Sequence, residues 1–393
     1  MRPRDLPCVR TARYAIARST RWTDGDDCLI GDTPTCRSTS FGHRFVLDSP
    51  PWDDWAGWFQ RWREVHAGKG VATAYLCFEA KGTPETPASP PGVVAYTLSS
   101  MLLDPDAFAS FEPRPLPDGL TMRPVVGEDW LALRDLAVAV NGWEEDPSGR
   151  AYLDWALEER RAQVEGGRAA QRAVFNGEKA VAAAAVVEGP ADARYQDVQT
   201  HPDHRGRGLA TALVAELARG RQGALWIVAE RGSQPERIYD RVGFRTETTA
   251  FEFGHPSPRT DAEIEAIARA LEDGTLALAD WHHREHLLVA AWLLRTESTF
   301  DAALDRLRAA LKTFLAAQGI ETTQTAGYHE TITRAWLTLV QREFDPALSL
   351  QDAALKASLA LGDKLLLQHW KRETLMSWDS RRAWVEPDLT PLG

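Results

Sequence analysis

From Trp52 to His66 the apolar residues Trp55, Trp58, Phe59 and Trp62 return every three or four positions, with Asp53, Asp54, Gln60, Arg61 and Glu64 between them. That period predicts a helix whose aromatic side packs into a core rather than serving as a stacking platform. Arg44 to Asp48 before it and Val71 to Glu79 after it pattern as strands. Lys81 to Gly92 holds four prolines and predicts an exposed loop, and Val93 to Leu98 resumes extended structure. Residues 1 to about 40 show little periodicity and are expected to be irregular or short strands.

A second unit opens with a strand at Leu120 to Val125 and an amphipathic helix at Asp129 to Ala139. The acidic, turn-rich segment from Asn141 to Gly149, which contains Trp143, leads into a charged helix at about Tyr152 to Glu165. Ala170 to Phe175 and Lys179 to Val187 flank Asn176-Gly177, a hairpin signal. The second arm has five alanines, which by propensity favour helix. Its neighbouring turn, its length and its two closing valines favour a strand. A strand at Arg194 to Thr200, a Gly/Arg-rich loop, a helix at about Leu209 to Arg219, a strand at Ala224 to Val228, a short helix at Ser233 to Arg241 and a strand at Phe244 to Phe253 follow.

From Pro256 onward period-2 runs disappear. Helices are predicted at Asp261–Glu272, Trp281–Arg295, Phe300–Ala317, His329–Phe344 and Asp352–Leu361, with short pieces near Trp370 to Met376 and Ser380 to Trp384. The pattern implies a separate all-helical domain.

Composition narrows the function classes. The chain of 393 residues has 45 Lys+Arg and 56 Asp+Glu, a net charge of −11. Such a chain without a basic tail is a poor general binder of nucleic acid, although a local basic loop can hold a small anion. The most apolar stretch, Ala180 to Val187, is far short of the ~20 residues needed to span a bilayer. The three arginines of the first ten residues precede no apolar run, so no signal peptide is expected and the location is expected to be cytoplasmic. Cys8, Cys28, Cys36 and Cys77 form no C-x-x-C pair and are expected to be free thiols, with a Cys28–Cys36 link as the alternative.

The most informative stretch is His204-Arg205-Gly206-Arg207-Gly208-Leu209-Ala210, between a predicted strand and a predicted helix. A helix N-terminus offers unpaired N–H groups and a dipole that favours an anion, and glycine removes side chains that would stand between a phosphate and those donors. The spacing is neither that of a P-loop nor that of G-x-G-x-x-G.

The order VQTHPDHRGRGLATALVAEL, then ALWIVAE, then IYDRVGF resembles the acetyl-CoA-dependent N-acyltransferases of the GNAT superfamily over about residues 118 to 254. The family pattern Gln/Arg-x-x-Gly-x-Gly/Ala falls on Arg205, Gly208 and Ala210. The resemblance implies that backbone N–H groups from Arg205 through Gly206, Arg207, Gly208 and Leu209 to Ala210 hold the pyrophosphate of acetyl-CoA or another acyl-CoA, with Val198, Thr200 and Ser233 as further cofactor contacts. It implies that the strand before the cradle splays from Ala224 to Val228 to admit the thioester. The ending Tyr-x-x-x-Gly-Phe matches Tyr239, Gly243 and Phe244, and the resemblance gives Tyr239 the protonation of the departing thiolate. Many relatives carry an asparagine six or seven residues before that tyrosine, where this chain has Gly232 and Ser233. Glu144, Glu145 and Asp197 are the candidate general bases for an amine acceptor, a small molecule or a peptide.

The resemblance thus implies an α/β fold: a GNAT-like mixed sheet with flanking helices over residues 116–255, an incomplete GNAT-like half over 1–115 as in tandem proteins of the superfamily, and an all-helical accessory domain over 256–393. The helical part resembles a bacterial domain of uncharacterised function. Its cluster of His282, His283, His286, His329 and His369 has two readings, buried hydrogen-bonded rings and helix caps, or a metal site drawn from His283, His286, His329 and His369. The leading expectation is an N-acetyltransferase acting by direct attack in a ternary complex, as a monomer or homodimer. A non-catalytic coenzyme A sensor and a bifunctional protein with a helical metalloenzyme are the alternatives.

Overall fold

The alanine-rich arm is a strand because both of its faces are covered. On β8 (Lys179–Glu188), Ala182, Ala184 and Val186 face one core and Ala180 and Ala183 face another. Helices α4 (Asp129–Asn141) and α6 (Leu209–Ala218) both pack on this strand. Small side chains allow that close approach, and burial on two faces overrides helix propensity.

The computed structural model describes residues 2–15, 19–36, 42–66, 69–85, 87–90, 92–142 and 147–392, apart from the side chains of Pro147, Ser148 and Ala279. The chain divides into two compact units. The first comprises Met1–Asp53, Glu64–Ala88 and Ala95–Gly254; the second comprises Asp54–Arg63, Ser89–Val94 and His255–Gly393.

The first unit is built on an eleven-stranded sheet, ordered β1-β2-β3-β4-β11-β5-β10-β9-β8-β7-β6. The strands are β1 (Arg21–Asp24), β2 (Cys28–Asp32), β3 (Arg44–Leu47), β4 (Thr73–Lys81), β5 (Val94–Leu103), β6 (Leu120–Pro124), β7 (Ala169–Asn176), β8, β9 (Asp192–Thr200), β10 (Ala224–Glu230) and β11 (Phe244–Pro256). The helices that belong to this unit beside α4 and α6 are α1 (Pro7–Ala15), α3 (Pro105–Ala109), α5 (Pro147–Glu165) and α7 (Gln234–Val242). The expected hairpin is present, with β7 and β8 antiparallel around Asn176↔Lys179. Strand β11 lies between β4 and β5, and β5 in turn pairs antiparallel with β10. A buried ion pair, Arg44 Nη1 to Glu252 Oε1 at 3.0 Å, joins β3 to β11, and the Tyr75 hydroxyl on β4 donates to the same carboxylate.

The segment expected to be irregular contains a helix. Helix α1 buries Cys8, Val9, Thr11, Ala12 and Ala15, and its first amides are satisfied from far along the chain. The N–H groups of Cys8 and Val9 donate to the buried Glu79 carboxylate of β4 at 2.9 and 3.0 Å. Arg194 Nη1 on β9 donates to the Cys8 carbonyl at 2.8 Å. A carboxylate seventy residues away replaces the local cap that sequence patterns detect. Helix α5 also begins earlier than expected, at Pro147, since proline suits the first helical position. All four cysteines are free and buried, so the alternative Cys28–Cys36 link is not made.

The second unit contains α8 (Asp261–Glu272), α9 (His283–Thr296), α10 (Phe300–Ala317), α11 (Glu330–Glu343), α12 (Leu350–Ala360), α13 (Arg372–Leu375) and α14 (Trp378–Arg382). Its core gathers Ile264, Leu287, Trp292, Leu307, Phe314 and Trp370 among others. Thr260 and Glu263 form a capping box on α8, and Thr299, His329, Ser349 and Ser377 cap later helices. Part of α2 (Trp55–His66) also belongs here; of the aromatic stripe, Phe59 and Trp62 are fully buried as expected, while Trp55 and Trp58 are half-buried. Among the described residues no helix is long and apolar enough to cross a membrane.

Candidate functional site

Strands β9 and β10 run parallel and pair only at their starts, Asp192↔Ala224, Ala193↔Leu225 and Arg194↔Trp226. Beyond these the two strands are no longer bridged to each other, while β9 keeps its pairing with β8 as far as Thr200↔Ala182. A wedge therefore opens between adjacent parallel strands, where the splay was expected. Within it Asp197 adopts φ 54°, and the β8–β9 register slips at the same place. A residue with positive φ beside a register shift is a bulge, which turns backbone groups out of the ladder.

The chain leaves β9 through a short turn at Pro202–His204 and enters α6 through Gly206 and Gly208, with φ 76° and 81°. Gly208 is the N-cap of α6, and a left-handed cap costs least at glycine. Among the described residues, no backbone hydrogen bond is made by the amides of Gly206, Arg207, Gly208, Leu209 or Ala210. The side chain of Leu209 is buried in the core, so this residue offers its amide alone. Arg205 and Arg207 are exposed beside the turn, Arg205 Nε donating to the Thr200 carbonyl at 3.4 Å. Burial first, then the charge of Arg207, hold the His204 imidazole below its usual pKa. A row of donors without backbone partners at the end of a helix dipole, with two guanidinium groups alongside, is chemically suited to an anion.

Tyr239 projects from α7 into the core that includes Leu209, Leu213 and Phe244, its ring edge-on to Phe244. Burial pushes its hydroxyl above the usual phenol pKa, and no hydrogen-bond partner contributes among the described residues. Ser233 is the N-cap of α7, not its first residue; its Oγ accepts from the Glu236 amide at 3.3 Å. Val198 packs on the same core as Tyr239, and Thr200 closes β9. A cavity of about 440 Å³ lined by Met101, Glu236, Arg237, Asp240, Arg241 and Thr246 borders α7; neither Tyr239 nor a cradle residue lines it.

The candidate bases differ in what can be said of them. Glu144 and Glu145, with Trp143, lie outside the described residues. Asp197 accepts from Arg160 Nε at 3.0 Å, and Arg160 is fixed by Gln163 and the Ala15 carbonyl. The Tyr152 hydroxyl is pushed up to about 12, by burial first and then by the charges of Asp197 and Cys36. Sequence reading passed over Tyr152 and Arg160, because nothing in a charged helical pattern marks which members turn toward a bulge on β9. It also passed over Arg114, whose Cβ approaches within 3.9 Å of where a Cβ on Gly208 would stand.

The geometry does not support a helical metal site, because the four candidate histidines meet separate partners. His283 Nε2 pairs with the Leu361 carbonyl at 2.8 Å and His329 Nε2 with the Leu375 carbonyl at 2.9 Å. His369 Nδ1 pairs with the Thr390 carbonyl at 2.9 Å, and His286 packs on Trp281 with ring centroids 4.0 Å apart. A carbonyl accepts only, so that nitrogen of each of these three rings carries a proton, and among the described residues the ligand-type atoms of these histidines are not gathered into a group of three.

Residues 170–246 match the family model described as an acetyltransferase (GNAT) domain. The chain carries a GNAT acetyltransferase domain. That match spans β7 to the start of β11, including the wedge, the turn before α6 and Tyr239. Among solved structures the chain is similar to a functionally unknown conserved protein from Staphylococcus epidermidis, at 10% identity over 60% of this chain and 93% of that one, with a TM-score of 0.49. It is similar to a GCN5-related N-acetyltransferase from Kribbella flavida, at 18% identity over 61% and 90% of the two chains and a TM-score of 0.38. A tandem GNAT protein from the clavulanic acid biosynthesis pathway matches at 15% identity over 65% and 88%, with a TM-score of 0.41. No curated protein matches the chain significantly.

Proposed function

We propose that the protein is an acetyl-CoA-dependent N-acetyltransferase that acts on a small-molecule or peptide amine within a ternary complex. The observation that carries this is the row of five open amides from Gly206 to Ala210 beside the β9–β10 wedge, inside the GNAT domain. The cradle fits a pyrophosphate: two left-handed glycines remove Cβ atoms from its approach, and Arg205 and Arg207 add charge. Bound there, acetyl-CoA supplies an electrophilic thioester carbonyl. The wedge exposes backbone of β9 and β10 to the acyl end, and the bulge at Asp197 turns further backbone toward it. Tyr239 keeps its proton through neutral pH because burial raises its pKa, and in this proposal it delivers that proton to the departing sulfur. The amine's proton goes to Glu144, Glu145 or Asp197, the last already holding Arg160. Ser233, Val198 and Thr200 complete the proposed cofactor contacts.

Calorimetry with coenzyme A and an acetyl-transfer assay over a panel of small and peptide amines test the reading together. Expected are saturable binding and turnover of at least one amine, with Tyr239→Phe losing about 10²-fold or more in kcat at unchanged coenzyme A affinity. Binding without turnover on any amine favours the sensor alternative, and absence of binding removes the enzyme reading.

A further inference from the structure

A second group of polar side chains lies in the N-terminal part of the first unit, where sequence patterns gave no site. Asp32 ends β2, His43 precedes β3 and His66 ends α2, so three separate elements converge. Asp32 Oδ1 stands 3.2 Å from His43 Nδ1 and 3.7 Å from His66 Nδ1, and the ligand-type atoms of all three residues lie within 4.8 Å of one another. The two imidazoles are fully buried, while Asp32 is 23% exposed and leaves one side open to solvent.

The distances have a specific meaning. Four-coordinate zinc with bonds of about 2.0–2.1 Å sets its ligand atoms about 3.3–3.4 Å apart. The separations from Asp32 Oδ1 bracket that tetrahedral edge. The tautomer fits as well: His43 Nε2 lies 3.0 Å from the Cys36 carbonyl, which can only accept, so that nitrogen carries the proton. Nδ1 then presents a lone pair toward Asp32, and the weak 3.5 Å contact from the Thr33 amide agrees with an unprotonated Nδ1. A histidine whose far nitrogen donates to a carbonyl is oriented as metal-ligating histidines are.

A cation already stands at this cluster. Lys69 Nζ lies 3.3 Å from Asp32 Oδ1, on a side chain that is 29% exposed and free to withdraw toward solvent. We propose that Asp32, His43 and His66 form a three-ligand site for one divalent transition-metal ion of the zinc class, with the Lys69 ammonium holding the cation position when no metal is bound. Two imidazoles and one carboxylate suit zinc or cobalt over calcium or magnesium, which prefer all-oxygen sites. The inference stands apart from the acyl-transfer reading, since it uses no residue of the cradle or wedge.

The test uses the full chain without an added histidine tag, titrated with Co²⁺ and then Zn²⁺. Expected is one Co²⁺ per chain with the intense visible bands of a four-coordinate ion, displaced by Zn²⁺. Lys69→Met removes the competing ammonium and should bind about tenfold tighter or better; Asp32→Asn should bind at least tenfold weaker, as ligand-shell changes do. Lys69 is at the surface, so its variant remains decisive even where Asp32→Asn or His66→Asn fails to fold. No Co²⁺ or Zn²⁺ on either the wild type or Lys69→Met overturns the proposal. So does binding that neither Asp32→Asn nor Lys69→Met changes, and so does binding by Lys69→Met alone, which denies the site to the native chain.

Discussion

The turn before α6 and the histidines of the helical unit are the two chemistry-bearing clusters that the sequence makes conspicuous, and they use their polar groups in opposite ways. At the turn, five consecutive amides make no backbone hydrogen bond among the described residues. In the helical unit, the rings of His283, His329 and His369 are tied to carbonyls of Leu361, Leu375 and Thr390. Clusters of the right residue types are therefore poor guides alone; the turn offers a consecutive row of amides without a backbone acceptor among the described residues, whereas the helical histidines each meet a separate partner.

Acid separates the two regions with the largest expected effect. Burial holds His255 and His329 down to about 4 and His286 to about 3, against an unfolded value near 6.5. Between those values the unfolded chain binds protons that the folded chain refuses, so stability is complete above about pH 6.5 and falls as the pH drops toward 4. Moving from pH 7 to 4.5 should cost about 2 kcal/mol for each of His255 and His329. Urea midpoints at the two pH values measure it, and His329→Gln should shrink the difference by its share. A midpoint unmoved by acid would mean that these rings are not held neutral.

A smaller effect is expected at the turn. Gly208→Val puts a β-branched residue at φ 81° on the helix cap. The strain of about 1–2 kcal/mol and the added bulk should weaken coenzyme A about 10- to 100-fold by calorimetry, with the acid profile of the helical unit unchanged. Full affinity in this variant would erase the contrast.

Ser233→Ala gives the smallest change and sharpens the boundary between cap and contact. Loss of the Oγ cap on α7 should lower stability by about 1 kcal/mol in urea. If coenzyme A affinity falls as well, Ser233 also touches the cofactor; if it holds, the serine serves the helix alone.

What was legible in the sequence was local. The Asn176-Gly177 hairpin, the glycine–arginine turn and the helical periodicities after Pro256 each carry their signal within a dozen residues, and the structure contains all of them. Helix α1 was hidden because its cap is Glu79 and its carbonyl partner Arg194, neither of them near it in sequence. Of the candidate site, Gly206 and Gly208 were legible from the turn itself, and Tyr239 through the family resemblance of the segment that contains it. The pairing of Asp197 with Arg160 was not, since it depends on a bulge in one element facing a helix in another. The Asp32, His43 and His66 group was hidden for the same reason, with no two of its members within ten residues.

The placement of β11 between β4 and β5 has a consequence for biosynthesis. On the ribosome, the hydrogen-bonding edges of both early strands wait for a partner that is made about 150 residues later. Until then they are exposed templates for pairing with other nascent chains. Shuffling the first hundred residues onto a different transferase would therefore leave a vacancy in the middle of the sheet, so the two stretches are expected to be inherited together.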